Sequence, residues 1–107
     1  MAEPADLDAG HLGSVNTPAD FAACLEGLRR RLELSYEAME QAARKLRPRP
    51  GHARFEHLGK STVGEIVTGR RMPTEGKLRT FLAVCQVPIV DQVRWHAAWE
   101  RARLAHL

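Results

Sequence analysis

Apolar residues recur every three or four positions in five separate stretches of the chain, which is the spacing of one face of an α-helix. No stretch alternates apolar and polar residues over several positions, so the pattern predicts no β-strand. The inward-facing residues of the first three predicted helices are Phe21, Leu25, Leu28 and Leu32; then Met39, Ala42, Ala43 and Leu46; then Val63, Ile66 and Val67. Those of the last two are Leu78, Phe81, Leu82 and Cys85, then Trp95, Ala98, Trp99 and Ala102. The predicted fold class is all-α, a compact bundle of five helices.

Residues that favour helix ends set the predicted boundaries. Side chains that can accept a hydrogen bond from the first turn precede four of the helices, at Thr17, Ser35, Thr74 and Asp91. We therefore predict helices over Pro18 to Arg31 and Tyr36 to Leu46, a short one from Lys60, and two more after Thr74 and Asp91. Gly69 stands where a left-handed residue would end the third helix.

The first 16 residues have a different character from the rest of the chain. They contain three acidic residues, two glycines and few bulky apolar side chains. We expect residues 1–16 to form a disordered acidic tail and residues 17–107 to form one domain, since 107 residues suffice for a single modest core.

The composition of the chain argues against several classes of protein. No apolar run is long enough to cross a bilayer, and the N-terminus lacks the basic start and apolar middle of a signal peptide, so we expect a cytoplasmic protein. Cys24 and Cys85 fall within apolar stripes as small hydrophobic residues. The histidines are scattered, so we expect neither a metal site nor a cofactor. No nucleophile, base and orienting acid form a recognisable set, and we expect no enzyme.

Charge is distributed unevenly. The chain has a net charge of +3, yet the segment from Arg44 to Arg79 holds ten basic and three acidic residues. The central segment is thus at +7 and the remainder at −4. A polyanion that meets this part of the fold explains the distribution, and a well-solvated surface explains it equally well.

The four residues Gly59 to Thr62, GKST, raise the alternative of a nucleotide-binding P-loop. That loop needs a second glycine five residues earlier, so that its backbone N–H groups can turn toward the phosphates. Arg54 occupies that position, and the preceding segment does not have the pattern of a buried strand. The match of four letters is therefore a coincidence. The short helix that begins at Lys60 presents small polar residues outward and ends at a glycine followed by two arginines, which favours insertion into the DNA major groove.

Four segments together resemble one family of DNA-binding domains: L-S-Y-E-A-M-E-Q-A-A, G-K-S-T-V-G-E-I-V-T-G-R-R-M-P-T, L-R-T-F-L-A-V-C and R-W-H-A-A-W. The chain resembles the lambda-repressor-like, xenobiotic-response-element-type helix-turn-helix domains that are abundant in actinobacteria. The likeness covers about Thr17 to Arg103, and its most specific part runs from Lys60 to Pro73. It implies five helices, of which the second and third form the motif and the third reads the DNA.

The resemblance also implies roles for individual residues. Gly59 matches the N-cap of the recognition helix. The residues that match positions facing base edges are Lys60, Ser61 and Glu65, and those that match sugar-phosphate contacts are Thr62, Thr68, Arg70 and Arg71. The chemistry is reasonable, because a lysine can donate to guanine and a glutamate can accept from cytosine N4. The implied function is sequence-specific binding of double-stranded DNA by a transcriptional regulator.

Two departures from the family pattern bear on this interpretation. A segment of roughly Arg47 to Leu58 replaces the usual turn of three or four residues, and Glu40 stands where a small residue is common. Arg47, Arg49 and Arg54 either add phosphate contacts beside the groove or belong to a solvated loop. Of these three arginines, Arg54 is the one that we predict as a candidate contact to the DNA backbone.

Two further alternatives concern partners. Trp95 and Trp99 are most simply core residues, whereas a second apolar edge of the last helix, Val93, Ala97 and Leu104, would allow two copies to form a homodimer. The alternative function is a helix-turn-helix fold used as a protein-interaction adaptor or antitoxin-like subunit that binds an acidic protein partner.

Overall fold

The computed structural model of the protein describes residues 12–48, 50–51 and 53–106. Five helices follow one another in this part of the chain: α1 (Pro18–Arg31), α2 (Tyr36–Arg44), α3 (Lys60–Val67), α4 (Glu75–Val84) and α5 (Ile89–His106). The described residues contain no strand. The all-α fold class predicted from the spacing of apolar residues is therefore confirmed.

Most predicted helix ends are also observed. The hydroxyls of Thr17, Ser35 and Thr74 accept hydrogen bonds from backbone N–H groups three residues later, at 3.1, 3.0 and 3.1 Å. Gly69 has a φ of +80°, which is the left-handed conformation expected after α3. These contacts satisfy groups that a helix end leaves without partners inside the helix.

Two boundaries differ from the predictions. Helix α2 ends at Arg44, before the predicted end at Leu46. Helix α5 begins at Ile89, and Asp91 lies within its first turn instead of capping it. The reason is that the carbonyl of Pro88 accepts from the backbone N–H groups of Asp91 and Gln92, at 2.9 and 3.0 Å. Pro88, directly before the helix, thus provides the first backbone acceptor of α5.

The core lies between the buried faces of all five helices. Its fully enclosed large side chains include Phe21 and Leu25 of α1, Met39 of α2, Ile66 of α3 and Phe81 of α4. Helix α1 packs on α5, where the rings of Phe21 and Trp95 meet edge to face with centroids 6.0 Å apart. Leu32 was predicted to point inward but is 45% exposed, because α1 ends at Arg31 and the chain turns away there.

The packed domain begins earlier than predicted. Leu12 and Val15 are each only 2% exposed, and their backbone carbonyls accept hydrogen bonds from the guanidinium of Arg101 on α5. The boundary therefore lies at or before Leu12 and not at Thr17. Two isolated apolar residues have no periodicity to reveal them. The prediction of disorder for residues 1–11 lies outside the described residues.

The connection between α2 and α3 is held against α4 in its second half. Leu58 is completely buried, and the backbone carbonyl of Glu56 accepts from the hydroxyl of Thr80 at 2.8 Å. The Glu56 carboxylate accepts from Thr74 and from Lys77, both at 2.9 Å. This half of the connection is thus a packed segment that leads directly into α3.

The hydrogen bond from Lys77, followed by the one from Thr74, holds the pKa of Glu56 below its ordinary value of 4.5. Because the pKa is lowered in the folded state, the stabilisation is complete above pH 4.5 and is lost as the pH falls through the folded pKa. We expect Glu56→Gln to lower the free energy of unfolding at pH 7 by less than about 1 kcal/mol, since the side chain is partly exposed.

The difference should shrink as the pH falls from 5 toward 3, which urea unfolding at both ends of this range would measure. Glu100→Gln is the matched control, because its carboxylate pairs with Arg103 of the same helix at 3.0 Å and holds no loop. A Glu56→Gln difference that grows on acidification would contradict the assignment.

No helix in the described part of the chain is both long enough and apolar enough to span a membrane.

Candidate nucleic-acid interface

Helix α3 has one buried face and one open face. Val63, Ile66 and Val67 are at most 5% exposed and anchor the helix in the core. Lys60 and Ser61, at its N-terminal end, are exposed. The helix spans only eight residues, about 12 Å at 1.5 Å per residue. The first turn of α3 is thus accessible to solvent, while the buried face of the helix holds it in the core.

The connection in front of α3 does not form a P-loop. Residues 53–59 lack a strand, and Gly59 has an ordinary φ of −79° at the N-cap of α3. Lys60, Ser61 and Thr62 form the first helical turn. The strand-loop-helix context that phosphate binding by GKST requires is therefore absent from this segment.

Two arginines follow α3 in a turn that the helix itself holds. The backbone N–H groups of Arg70 and Arg71 both donate to the carbonyl of Glu65, at 2.9 and 3.2 Å. Both side chains belong to exposed residues. The left-handed Gly69 permits this reversal of the chain, so the basic pair lies immediately beside the C-terminal end of α3.

Glu65 and Arg71, which were predicted to have separate roles, form an ion pair with a nitrogen–oxygen distance of 3.5 Å. Their side chains are 40% and 50% exposed, so the pair is accessible to solvent and to a ligand. An exposed pair of this kind contributes little to stability. The ion pair nevertheless engages two groups that were predicted to bind DNA: the Glu65 carboxylate, expected at a base edge, and the Arg71 guanidinium, expected at a phosphate.

The two threonines differ in their surroundings. Thr62 is half-buried in the first turn of α3. Thr68 is exposed, but its hydroxyl donates to the carbonyl of Gly64 at 2.7 Å and so helps to end the helix. A hydrogen bond from Thr68 to a phosphate requires this hydrogen to turn outward, because a phosphate oxygen can only accept.

Arg54 lies apart from the residues of α3. It is exposed, and its carbonyl accepts a hydrogen bond from Arg79 of α4 at 3.2 Å. Arg47 is exposed as well, whereas Arg49 lies outside the described residues. The structure therefore brings Lys60, Arg70 and Arg71 to the two ends of one helix, and places Arg54 on the connection beside α4.

Tyr36 lies against α3 in a way that the sequence did not indicate. A Cβ atom built on Gly64 would lie 3.1 Å from the Tyr36 ring, so the ring covers this position of α3 closely. Arg29 lies over the same ring, 4.9 Å from its centroid, and forms a 2.6 Å ion pair with Glu26. The hydrogen bond from Arg29 lowers the pKa of Glu26. A glycine within a predicted helix was the available signal for a close neighbour.

The loop between α3 and α4 is fixed from the other side. The indole N–H of Trp99 on α5 donates to the carbonyl of Pro73 at 2.8 Å, and the Trp99 side chain is buried. Trp95 is buried too, so both tryptophans belong to the core as the sequence favoured. The loop that carries Arg70 and Arg71 is thereby anchored at both ends.

Comparison with known families agrees with this arrangement. A family model described as a helix-turn-helix domain matches residues 20–95. The chain belongs to the helix-turn-helix domain family. The match spans α1 to α4 and the beginning of α5, so it includes α2 and α3, the two helices that the sequence predicts to form the motif. No curated protein and no solved structure gives a significant match to the chain.

Within this helix-turn-helix domain, the connection between α2 and α3 is unusually long for a turn between motif helices. It comprises residues 45–59, whereas three or four residues are common. The connection lies beside a surface groove of about 750 Å³ that reaches the start of α5. The apolar lining includes Leu46, Phe55, Val87 and Ile89, and the basic lining consists of Lys45, Arg47 and Arg79.

Proposed function

We propose that the protein is a cytoplasmic, sequence-specific regulator that binds double-stranded DNA with α3 in the major groove, in the manner of lambda-repressor-like domains of the actinobacterial type. The observation that supports this best is the exposure of Lys60 and Ser61 on one short anchored helix, with Arg70 and Arg71 in the turn that follows it. A helix about 10–12 Å across fits a major groove about 12 Å wide.

Different residues would provide the affinity for DNA and the specificity for sequence. Arg70 and Arg71 would neutralise phosphates and release counterions, which provides affinity for any sequence. Thr62 and Thr68 would contact the sugar-phosphate backbone, and Arg54 would meet it farther along. Lys60, Ser61 and Glu65 would face base edges, where hydrogen bonds distinguish one base pair from another.

Selection of binding sites from a pool of randomised duplexes tests this function. We expect one short motif to be enriched by the wild-type protein. Lys60→Ala should enrich a motif that differs at one position, because only base contacts carry sequence information. Failure of the wild-type protein to enrich any motif would contradict the proposal.

The ion pair between Glu65 and Arg71 leads to a prediction about discrimination. We expect Glu65→Gln to raise the affinity for random DNA by up to about eightfold at 0.1 M salt, because one additional phosphate contact increases the salt slope by about 0.9. The advantage of the preferred site should fall, since the carboxylate that accepts from cytosine is lost. Fluorescence anisotropy with both DNAs measures the two effects.

Glu37→Gln is the matched control, because it removes the same charge from an exposed position on α2. If Glu65→Gln and Glu37→Gln raise the affinity for random DNA equally, the effect is one of net charge and the role given to the ion pair is wrong.

A homodimer through α5 is the proposed oligomeric state. Val90, Val93 and Leu104 are 75%, 68% and 57% exposed, and with Ala97 their spacing places them along one side of the helix. A twofold dimer could place two copies of α3 in grooves about one DNA turn, ~34 Å, apart.

We expect Val93→Glu to convert a dimer to a monomer, because a charge within an apolar contact between two copies has no partner there. Light scattering coupled to size-exclusion chromatography measures this. Ala23→Glu, at an exposed position of α1, is the control and should remain dimeric. A wild-type protein that is monomeric with and without DNA would contradict the dimer.

The groove beside the connection favours a protein partner as the second candidate function. Among the described residues, its lining includes three basic side chains and no acidic one, with apolar residues between them. If the protein is an adaptor or an antitoxin-like subunit, an acidic amphipathic segment of its partner would complement the basic and apolar residues of this groove. Capture of an acidic protein by the wild-type chain, and its loss in Arg47→Glu, would support this function in the absence of DNA binding.

A further inference from the structure

Helix α3 lacks the side-chain cap that three other helices possess. Thr17, Ser35 and Thr74 cap α1, α2 and α4 with their own hydroxyls. The N-cap of α3 is Gly59, which has no side chain to accept a hydrogen bond. The free N–H groups at the start of the helix that would read DNA therefore need a partner from elsewhere.

Glu40 of α2 provides that partner. Its Oε2 atom accepts a hydrogen bond from the backbone N–H of Lys60 at 3.2 Å, across 20 positions of sequence. The Glu40 side chain is only 19% exposed, and its Oε1 atom lies 3.8 Å from the guanidinium of Arg44. A carboxylate at this place also interacts favourably with the positive end of the helix dipole.

The glycine at position 59 is explained by the same contact. Its φ of −79° and ψ of 159° are open to any residue, so backbone conformation does not require glycine here. A Cβ atom at this position would lie 3.3 Å from Glu40 Oε2 and 3.3 Å from His57 Nε2. A side chain at position 59 would therefore take up space that the Glu40 carboxylate needs.

We propose that Glu40 is a positioning residue that fixes the N-terminal end of α3 for sequence recognition, in place of a local cap. This rests on the proposed function, since Lys60 and Ser61 are its candidate base contacts. The long connection between the motif helices is then compatible with accurate recognition, because α2 sets the start of α3 directly.

Glu40→Ala tests the proposal. We expect the preference for the selected site over random DNA to fall about tenfold, the size expected for loss of a helix cap, while binding to random DNA changes less than about twofold. The exchange of the Lys60 amide hydrogen, followed by NMR, should accelerate. Circular dichroism should show the same helix content as the wild-type protein.

Rescue by a local cap separates this role from a general loss of stability. Gly59→Ser in the Glu40→Ala background provides a hydroxyl that can accept from an N–H group in the first turn of α3, and it should restore most of the preference. Gly59→Ser alone should weaken the preference, because its side chain and Glu40 compete for the same space. Glu37→Ala is the matched control on α2 and should change neither the preference nor the exchange of Lys60.

Three results would overturn the proposal: equal losses in Glu40→Ala and Glu37→Ala, a proportional fall in binding to both DNAs, or failure of Gly59→Ser to restore a folded Glu40→Ala variant. If the wild-type protein shows no sequence preference at all, the proposed function fails. Amide exchange at Lys60 then still decides whether Glu40 caps the helix.

Discussion

Simultaneous replacement of Arg70 and Arg71 by alanine should weaken binding to every DNA sequence by roughly 10- to 60-fold at 0.1 M salt, because each phosphate contact contributes about 0.9 to the salt slope. The ratio between preferred and random DNA should change little, since phosphate contacts carry no direct sequence information. Arg70→Ala alone should cost more than Arg71→Ala, because Arg71 already pairs with Glu65 at 3.5 Å. Anisotropy titrations at several salt concentrations measure these quantities.

Arg30→Ala with Arg31→Ala is the matched control, since it removes two neighbouring exposed arginines from the end of α1. This variant has the same net charge as the first one. If both double variants lose the same affinity and the same slope, general charge explains the binding, and the turn after α3 has no particular role.

The largest effect on stability is expected for Leu58→Ala. Leu58 is completely buried at the end of the connection, two residues before α3 begins. Its truncation should lower the free energy of unfolding by about 3 kcal/mol, through lost burial and the cavity that remains. Because the same side chain anchors the entry to α3, we also expect faster amide exchange at Lys60 in the folded protein.

Leu32→Ala provides the comparison, as the same chemical change at a side chain that is 45% exposed. We expect it to cost less than about 1 kcal/mol in urea unfolding. A Leu58→Ala variant as stable as Leu32→Ala would mean that the connection is not packed into the core.

Local signals were sufficient to predict much of the fold. The bounds of α1 and the caps of α2 and α4 depend on residues within one turn of each other, such as Thr17, Pro18 and Asp20. Gly69 after α3 is equally local. Where the periodicity was clear, the buried residues were predicted as well, including Phe81 and Trp95.

The predictions failed where contacts join distant positions. Arg101 binds the carbonyls of Leu12 and Val15, more than 80 positions away, and nothing near either residue indicates this. Glu40 was noticed only as a departure from a family pattern, although it binds the N–H of Lys60. Caps supplied by another helix depend on tertiary packing, which periodicity does not encode.

In the candidate site, too, the positions of single exposed residues agree with the sequence, and contacts between residues were not predicted. Exposure of Lys60, Ser61, Arg70 and Arg71 agrees with their positions in the motif. The ion pair of Glu65 with Arg71 was not anticipated, because the two roles were assigned one residue at a time. Residue-by-residue assignment cannot reveal that two side chains neutralise each other before a ligand binds.

Binding of DNA is tested most directly by a fluorescence-anisotropy titration of the wild-type protein with the DNA upstream of its own gene and with random genomic fragments, at several salt concentrations. We expect tighter binding to the upstream DNA than to the random fragments, with an affinity that falls steeply as salt rises. Absence of binding to either DNA even at low salt would contradict this expectation, and would direct attention to the groove beside the connection and to a protein partner.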